Sequence, residues 1–338
     1  MKKIIALFSL LLSILLLASC GSKANSSTKK GEEKTTKQDI KIDDSFPKLV
    51  DTRSTEEKMN TIYTINGNEV TYNMNTRKIV CIFGSQDVVS FGIKLLAYEN
   101  STSIKGYEEF YEGAKQLVNA SPFSYEEVYS YHPELILVNE KMSQDNIKTL
   151  SKAAPVIPLL TDSTDFNNRL KLIGNIFGLQ ESAQKLVDYA NNLKDQMLDN
   201  MSKLNVGDKT LTIYTYMGGV SIPPERGFFF NTILFDYLKI NRLENVKNFM
   251  QDESTLAYEP IAASNIKDYE GDLVFFAASG TKTITTYVTE NAGWRLLKAV
   301  REDRVGVFDM DAFAQKGVLL LYDQYSQILD AFKVALKA

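Results

Sequence analysis

One rhythm constrains this chain more than anything else. Short apolar runs alternate with helical or loop sequence, and the alternation is interrupted once by a long helical stretch. After Asn75 the apolar runs fall at 78–83, 94–98, 134–138 and 155–160, and they return at 210–216, 272–277 and 304–308. Strands separated by helices pair in parallel, because a crossover brings the chain back to the same end of the sheet. Upstream, residues 61–65 and 69–72 alternate around Asn66-Gly67, a hairpin signal. The interruption, residues 164–204, carries Leu170, Ile173 and Phe177, then Leu186, Val187, Ala190, Leu193, Met197 and Met201 at helical spacing, with Gly178 marking a break. Roughly 24 residues follow that break, a helix about 36 Å long, enough to join two lobes as a stiff spine. The expected fold class is α/β: two α/β lobes with mainly parallel central sheets, joined by one long rigid interdomain helix. The expected boundaries are 48–163 for the first lobe, 164–204 for the spine and 205–338 for the second lobe.

Composition narrows the function. A chain of 338 residues with 44% hydrophobic and 24% charged residues has material for two cores. Its two cysteines cannot form a disulfide framework, and one histidine rules out a His-rich metal site. A net charge of −4 argues against nucleic acid as a partner. There is no Gly-x-Ser-x-Gly elbow, P-loop or dinucleotide fingerprint, and His132 in a helix-to-strand loop leaves Ser-His-Asp chemistry without a candidate. The expectation is therefore no enzyme, no catalytic residue, no metal ligand set and no cofactor.

The N-terminus reads as an address. Lys2 and Lys3 precede an apolar run, Ile4 to Leu17, too short to span a bilayer and suited to a secretory signal. It ends in Leu17-Ala18-Ser19-Cys20, which resembles a bacterial lipobox. Residues 1–19 are then a signal peptide, and Cys20 is the lipidated N-terminus that anchors an extracytoplasmic protein to the membrane. Residues 20–47, rich in Ser, Lys, Thr and Glu, read as a flexible tether. Cys81, inside Ile79-Val80-Cys81-Ile82-Phe83, reads as a small buried hydrophobe.

Several segments carry a resemblance in order along the chain. They are Thr64 to Val70 with Arg77-Lys78-Ile79-Val80, and Glu126-Glu127-Val128 with Tyr131-His132-Pro133-Glu134-Leu135-Ile136. They continue with Ala154-Pro155-Val156, Tyr269 to Phe275, and Trp294 to Val300 followed by Arg304-Val305. Together with the lipobox, they resemble the iron-siderophore type of ABC-transporter substrate-binding lipoprotein, the class III periplasmic binding protein type, over residues 60–335. The resemblance implies two lobes on one helix, a ligand in the cleft between them, and small closure.

In open parallel sheets, ligands sit beyond the carboxyl ends of the strands. That selects Gly84 to Asp87, the Tyr107/Tyr111 loop and Glu140-Lys141-Met142 in the first lobe. In the second it selects Met217 to Phe230, Ser279 to Tyr287 and Asp309 to Phe313. Their aromatic content suits a bulky ligand. Arg226, in Pro223 to Phe230, matches an Arg-Gly that hydroxamate-siderophore binders carry in a similar loop. Its fork of donors suits the anionic oxygens around a ferric ion; a surface arginine paired with Glu225 is the alternative. The other ligand-binding candidates are Tyr216, Met217, Phe228, Lys141, Tyr107, Tyr111 and Phe313, with core packing as the competing role for Tyr216, Met217 and Phe228. Trp294, opening a helix, reads as core.

The resemblance also implies one permease-docking glutamate per lobe, matched by Glu126 and Glu259, with Glu127 a rival for the first and a solvated helix-start acid the alternative for both. The implied partners are a ferric siderophore, hydroxamate or mixed type, an ABC permease and the membrane, with the protein a monomer. Haem, cobalamin and a non-transport interaction role are the alternatives. A tris-catecholate would want more basic residues than Arg226 and Lys141.

Overall fold

The computed structural model describes residues 40–100, 106–118, 123–161, 166–216, 219–223, 228–250, 260–279, 292–314 and 316–337. The signal segment, Cys20 and the tether as far as residue 39 lie outside them.

The hairpin forms as its alternation requires. Strand β1 (Met59–Tyr63) pairs antiparallel with β2 (Glu69–Asn73), and Gly67 supplies the positive φ of the turn, +78°. The first sheet follows, with β3 (Ile79–Cys81), β4 (Ala97–Tyr98), β5 (Lys115–Gln116), β6 (Leu135–Asn139) and β7 (Val156–Leu159) in the order β5-β4-β3-β6-β7, all parallel. The chain runs outward from β3 in one direction and then in the other. Its switch point therefore lies between β3 and β6.

Strand periodicity divides the core. Ile79, Cys81, Leu135 and Leu137 face the spine. Val80, Ile82, Ile136 and Val138 face α2 (Tyr125–Ser130) and α3 (Gln144–Leu150). Because both faces are covered, these strands read as unbroken apolar runs.

The spine is two helices. Helix α4 (Phe166–Phe177) stops at Gly178, whose φ is +67°, and α5 (Gln180–Lys203) runs 24 residues. The second sheet, with β8 (Leu211–Tyr216), β9 (Val220–Ser221), β10 (Leu273–Ala278) and β11 (Val305–Asp309), has the order β11-β10-β8-β9. It is parallel except for β9. Leu211, Ile213 and Phe275 join Ile328 and Phe332 of the C-terminal helix (Leu321–Leu336) in the same hydrophobic cluster that holds Ile79 and Leu137. One continuous core thus runs from one sheet through the spine to the other. The opposite face carries Tyr214, Val274 and Phe276 around Trp294. Trp294 is fully buried, edge-on to Tyr214 at 5.3 Å and Phe276 at 5.4 Å.

Residues Ile40–Pro47, assigned to the tether by composition, are docked. Ile42 is buried, Asn200 Nδ2 donates to the Lys41 carbonyl at 2.8 Å, and Asp43 N donates to Gln196 Oε1. Phe46 meets Tyr189 at 5.2 Å and Phe110 at 5.9 Å. Three apolar side chains, Ile40, Ile42 and Phe46, in an otherwise polar run pack against the core and fix it along α5. Farther on, Arg53 grips Asp51 with two bonds and reaches the carbonyls of Met74 and Thr76.

Candidate functional site

At the first-lobe side of the predicted cleft, β3 leads through Gly84, at φ +78°, into α1 (Ser85–Ser90). All six residues of α1 are buried, three of them polar or charged at its start. Two clusters account for this. In the first, Glu99, just past β4, accepts from Ser85 N at 3.0 Å, and Ser85 Oγ lies 3.0 Å from the Tyr111 hydroxyl. The second oxygen of Glu99 is buried without a hydrogen-bond partner among the described residues. Burial raises the Glu99 pKa above the usual carboxylate range, and the Ser85 donor pulls it part of the way back.

In the second cluster, Asp87 and Arg169 form a fully buried pair, Nε to Oδ2 at 2.5 Å. Asp87 Oδ1 accepts from Val318 N at 2.7 Å. Arg169 donates to the carbonyls of Lys316 at 2.7 Å and Leu160 at 3.3 Å. Burial pushes the Asp87 carboxyl up while Arg169 pulls it down.

The next loop is also tied. Glu140 Oε1 accepts from Thr161 N and Thr161 Oγ1. Lys141 stands exposed beside it, its backbone N–H donating to Asn139 Oδ1.

The second lobe presents a different edge. Tyr216 ends β8 half-buried, and Phe228 is half-buried and stacked on Phe230 at 5.3 Å and 15°. Behind them Phe230, Phe308 and Phe313 interlock at 5.0, 5.2 and 5.8 Å. Ser279 Oγ donates to Asp311 Oδ1 at 2.9 Å, and the Asp309 side chain caps the turn that follows β11.

The predicted residues therefore fall into groups. Tyr216, Phe228 and Lys141 sit at carboxyl edges with accessible surface. Tyr111 and Phe313, expected on the cleft wall, are core residues, 5% and 0% exposed. An aromatic ring in a loop beside a large apolar cluster is drawn inward by the area it can bury. Tyr107 is half-buried, and its hydroxyl donates to Asp323 of the C-terminal helix at 2.8 Å. It belongs to the contact between lobes. Arg226, Met217 and Glu259 lie outside the described residues.

Glu126 is exposed at the first turn of α2, where Ser124 caps the helix; its own backbone N–H and then the Ser124 hydroxyl donate to its carboxylate and hold its pKa down. Glu127 accepts from Val118 N and is thereby tied to its own lobe. His132 is exposed in the helix-to-strand loop at φ +48°. Cys81 is buried and its thiol pKa is raised by burial. Among the described residues, no three His, Cys, Asp or Glu side chains converge as a metal site, and no helix is long and apolar enough to cross a membrane.

Asp87, Arg169 and Glu99 were not singled out individually from the sequence. Arg169 carried a signal: it lies three residues after Phe166 and four before Ile173, a charge on the apolar stripe of α4.

Two α/β lobes on a two-helix spine, joined at α1 and the segment after β11, have the architecture of a two-lobed binding protein. Residues 91–312 match the periplasmic binding protein family, and the chain belongs to it. It is similar to the iron-uptake system-binding protein of Bacillus subtilis (strain 168), 26% identical over 57% of this chain and 60% of that protein. It is also similar to the iron(3+)-hydroxamate-binding protein FhuD of the same organism, 26% identical over 94% of this chain and 96% of that protein. Among solved structures, FhuD2 from Staphylococcus aureus with bound ferrioxamine B has the same fold, with a TM-score of 0.60 at 15% identity, covering 77% of this chain and all of that one.

Proposed function

We propose that this chain is the extracytoplasmic substrate-binding component of an ABC importer and that its cargo is a ferric siderophore, hydroxamate or mixed in type. The observation that carries the reading is the aromatic carboxyl edge of the second lobe, Tyr216 and Phe228, in a chain alike over 94% of its length to a relative named for iron(3+)-hydroxamate binding. A siderophore wraps its ferric ion in its own oxygens, so the protein has to recognise a large, partly apolar shell. Half-buried rings suit the shell. Arg226, in the loop that leads to Phe228, suits the oxygens, with a fixed fork of donors. Met217, next to Tyr216 in sequence, and Lys141, exposed at the first-lobe edge, complete the proposed set of ligand contacts.

The remaining roles follow the same reading. Glu126, exposed on a capped helix start, and Glu259 dock the permease. Residues 1–19 direct export, and acylated Cys20 holds a monomeric protein at the membrane.

The test is a titration of the mature chain with ferrioxamine B, ferrichrome, a ferric catecholate, haem and cobalamin, following Trp294 and tyrosine emission. Saturable quenching by a ferric hydroxamate, absent with the iron-free form, is expected. Arg226→Ala is expected to weaken it at least tenfold, the loss of one charge-assisted contact. Quenching by haem or cobalamin alone would overturn the ligand, and silence across the panel would overturn the transport cargo.

A further inference from the structure

The Asp87–Arg169 pair joins three parts of the fold. Asp87 is on α1 of the first lobe, Arg169 on the spine helix α4, and Lys316 and Val318 follow the last strand of the second lobe. Both side chains are 0% exposed. The second-lobe segment is held by two separate bonds, one to each partner: Val318 N to Asp87 Oδ1 at 2.7 Å, and Arg169 Nη2 to the Lys316 carbonyl at 2.7 Å. Contact at the seam is close enough that a Cβ at Gly317 would fall 2.5 Å from Gln86 Cβ.

Stability alone does not explain such a pair. Burying two charges is costly, and well-packed apolar residues of similar volume commonly serve as well or better. What a buried fork provides is direction, because its bonds form only at one separation and one angle.

We infer that Asp87 and Arg169 are positioning residues that staple Lys316–Val318 to α1 and so fix the opening between the two walls of the site before any ligand arrives. The inference rests on reading these two edges as the ligand site. A site held open at a set width avoids the ordering cost of closing two loose lobes on the ligand.

The test is amide hydrogen exchange on the ligand-free mature chain, read in peptides 84–92 and 316–322. The key variant is Asp87→Leu with Arg169→Met, which removes both charges together and so leaves no unpaired one behind. It is expected to unfold cooperatively near the parent temperature. Its exchange should be roughly tenfold to hundredfold faster in both peptides, one in each lobe. Parent-like exchange in 316–322 would overturn the staple. If this variant does not fold, Gly317→Ala decides by the same readout, since its methyl wedges the seam against Gln86 Cβ at 2.5 Å and meets Asp87 Oδ1 only at an ordinary contact distance of 3.5 Å, leaving both charges in place. No ligand is present, so a failed siderophore titration leaves this result intact, and a failed exchange result leaves the cargo untouched.

Discussion

The two carboxyl edges occupy the same topological position and are built from opposite chemistry. In the first lobe the edge is polar and buried: Ser85, Gln86 and Asp87 are each at most 1% exposed, locked by Glu99, Arg169 and the second-lobe backbone. In the second lobe the edge is aromatic and half-open, with Tyr216 and Phe228 resting on a buried triangle of Phe230, Phe308 and Phe313. Parallel-sheet topology says where a ligand can sit. It does not say which side grips and which side holds the frame. Here directional polar bonds set the frame, and rings supply the area for contact.

Arg169→Ala should do the most damage. It strands the Asp87 carboxylate in the core, and losing one partner of a buried pair costs about 4 kcal/mol. Urea denaturation against the parent measures it. A cost below about 1 kcal/mol, the size of an exposed ion pair, would mean that charge does not organise the first edge.

Phe313→Ala comes next. Its ring is fully buried between Phe308 and Phe230, and emptying that volume should cost about 3 kcal/mol. The same denaturation series reads it. The added expectation is specific to the second edge. Phe228, stacked on Phe230, loses its support, so siderophore quenching should weaken along with stability. Undiminished binding would separate the aromatic core from the aromatic wall.

Tyr107→Phe is smaller. It deletes a single hydrogen bond to Asp323, which is exposed, worth about 1 kcal/mol. Because that bond crosses between the lobes, its loss should also quicken amide exchange at the start of the C-terminal helix. A stability loss with no change in exchange there would make the bond local in effect and leave the frame to Asp87 and Arg169.

Much of the fold is legible because each lobe's strands are short, unbroken apolar runs, and the spine carries an apolar stripe at helical spacing on each side of a glycine break. Strands β5 and β9 were missed. Each is two residues long, and Lys115–Gln116 is exposed, so neither has a pattern to read. The docking of Ile40–Pro47 is hidden in average composition, because Ile40, Ile42 and Phe46 are a few apolar residues at the end of a long polar run. Sequence assigns loop residues a position along the chain but not a depth. Tyr111 and Phe313 sit in the loops where they were expected, yet point into the core, since sequence places a ring in a loop without telling which side of the loop faces water. Asp87 belonged to a loop already marked, but its partner Arg169 is 82 residues away, a separation no local pattern spans.

The smallest expected effect concerns Glu99, the member of the first edge whose second oxygen lacks a partner among the described residues. Burial raises its pKa in the folded chain. In the unfolded chain it titrates at the ordinary carboxylate value, so between that value and the raised one the folded state holds a proton that the unfolded state has lost. Stability contributed by this group is therefore greatest at low pH and falls as pH rises through that window. Glu99→Gln stays neutral throughout and keeps the acceptor for Ser85 N–H. It should match the parent at pH 4 and exceed it in melting temperature at pH 7, and Asp87, also raised, contributes equally to both proteins and cancels in the difference. An equal gap at both pH values would show that Glu99 is ionised inside the fold. The first edge would then carry an uncompensated negative charge beside Asp87, and its contrast with the aromatic edge would be one of charge as well as of polarity.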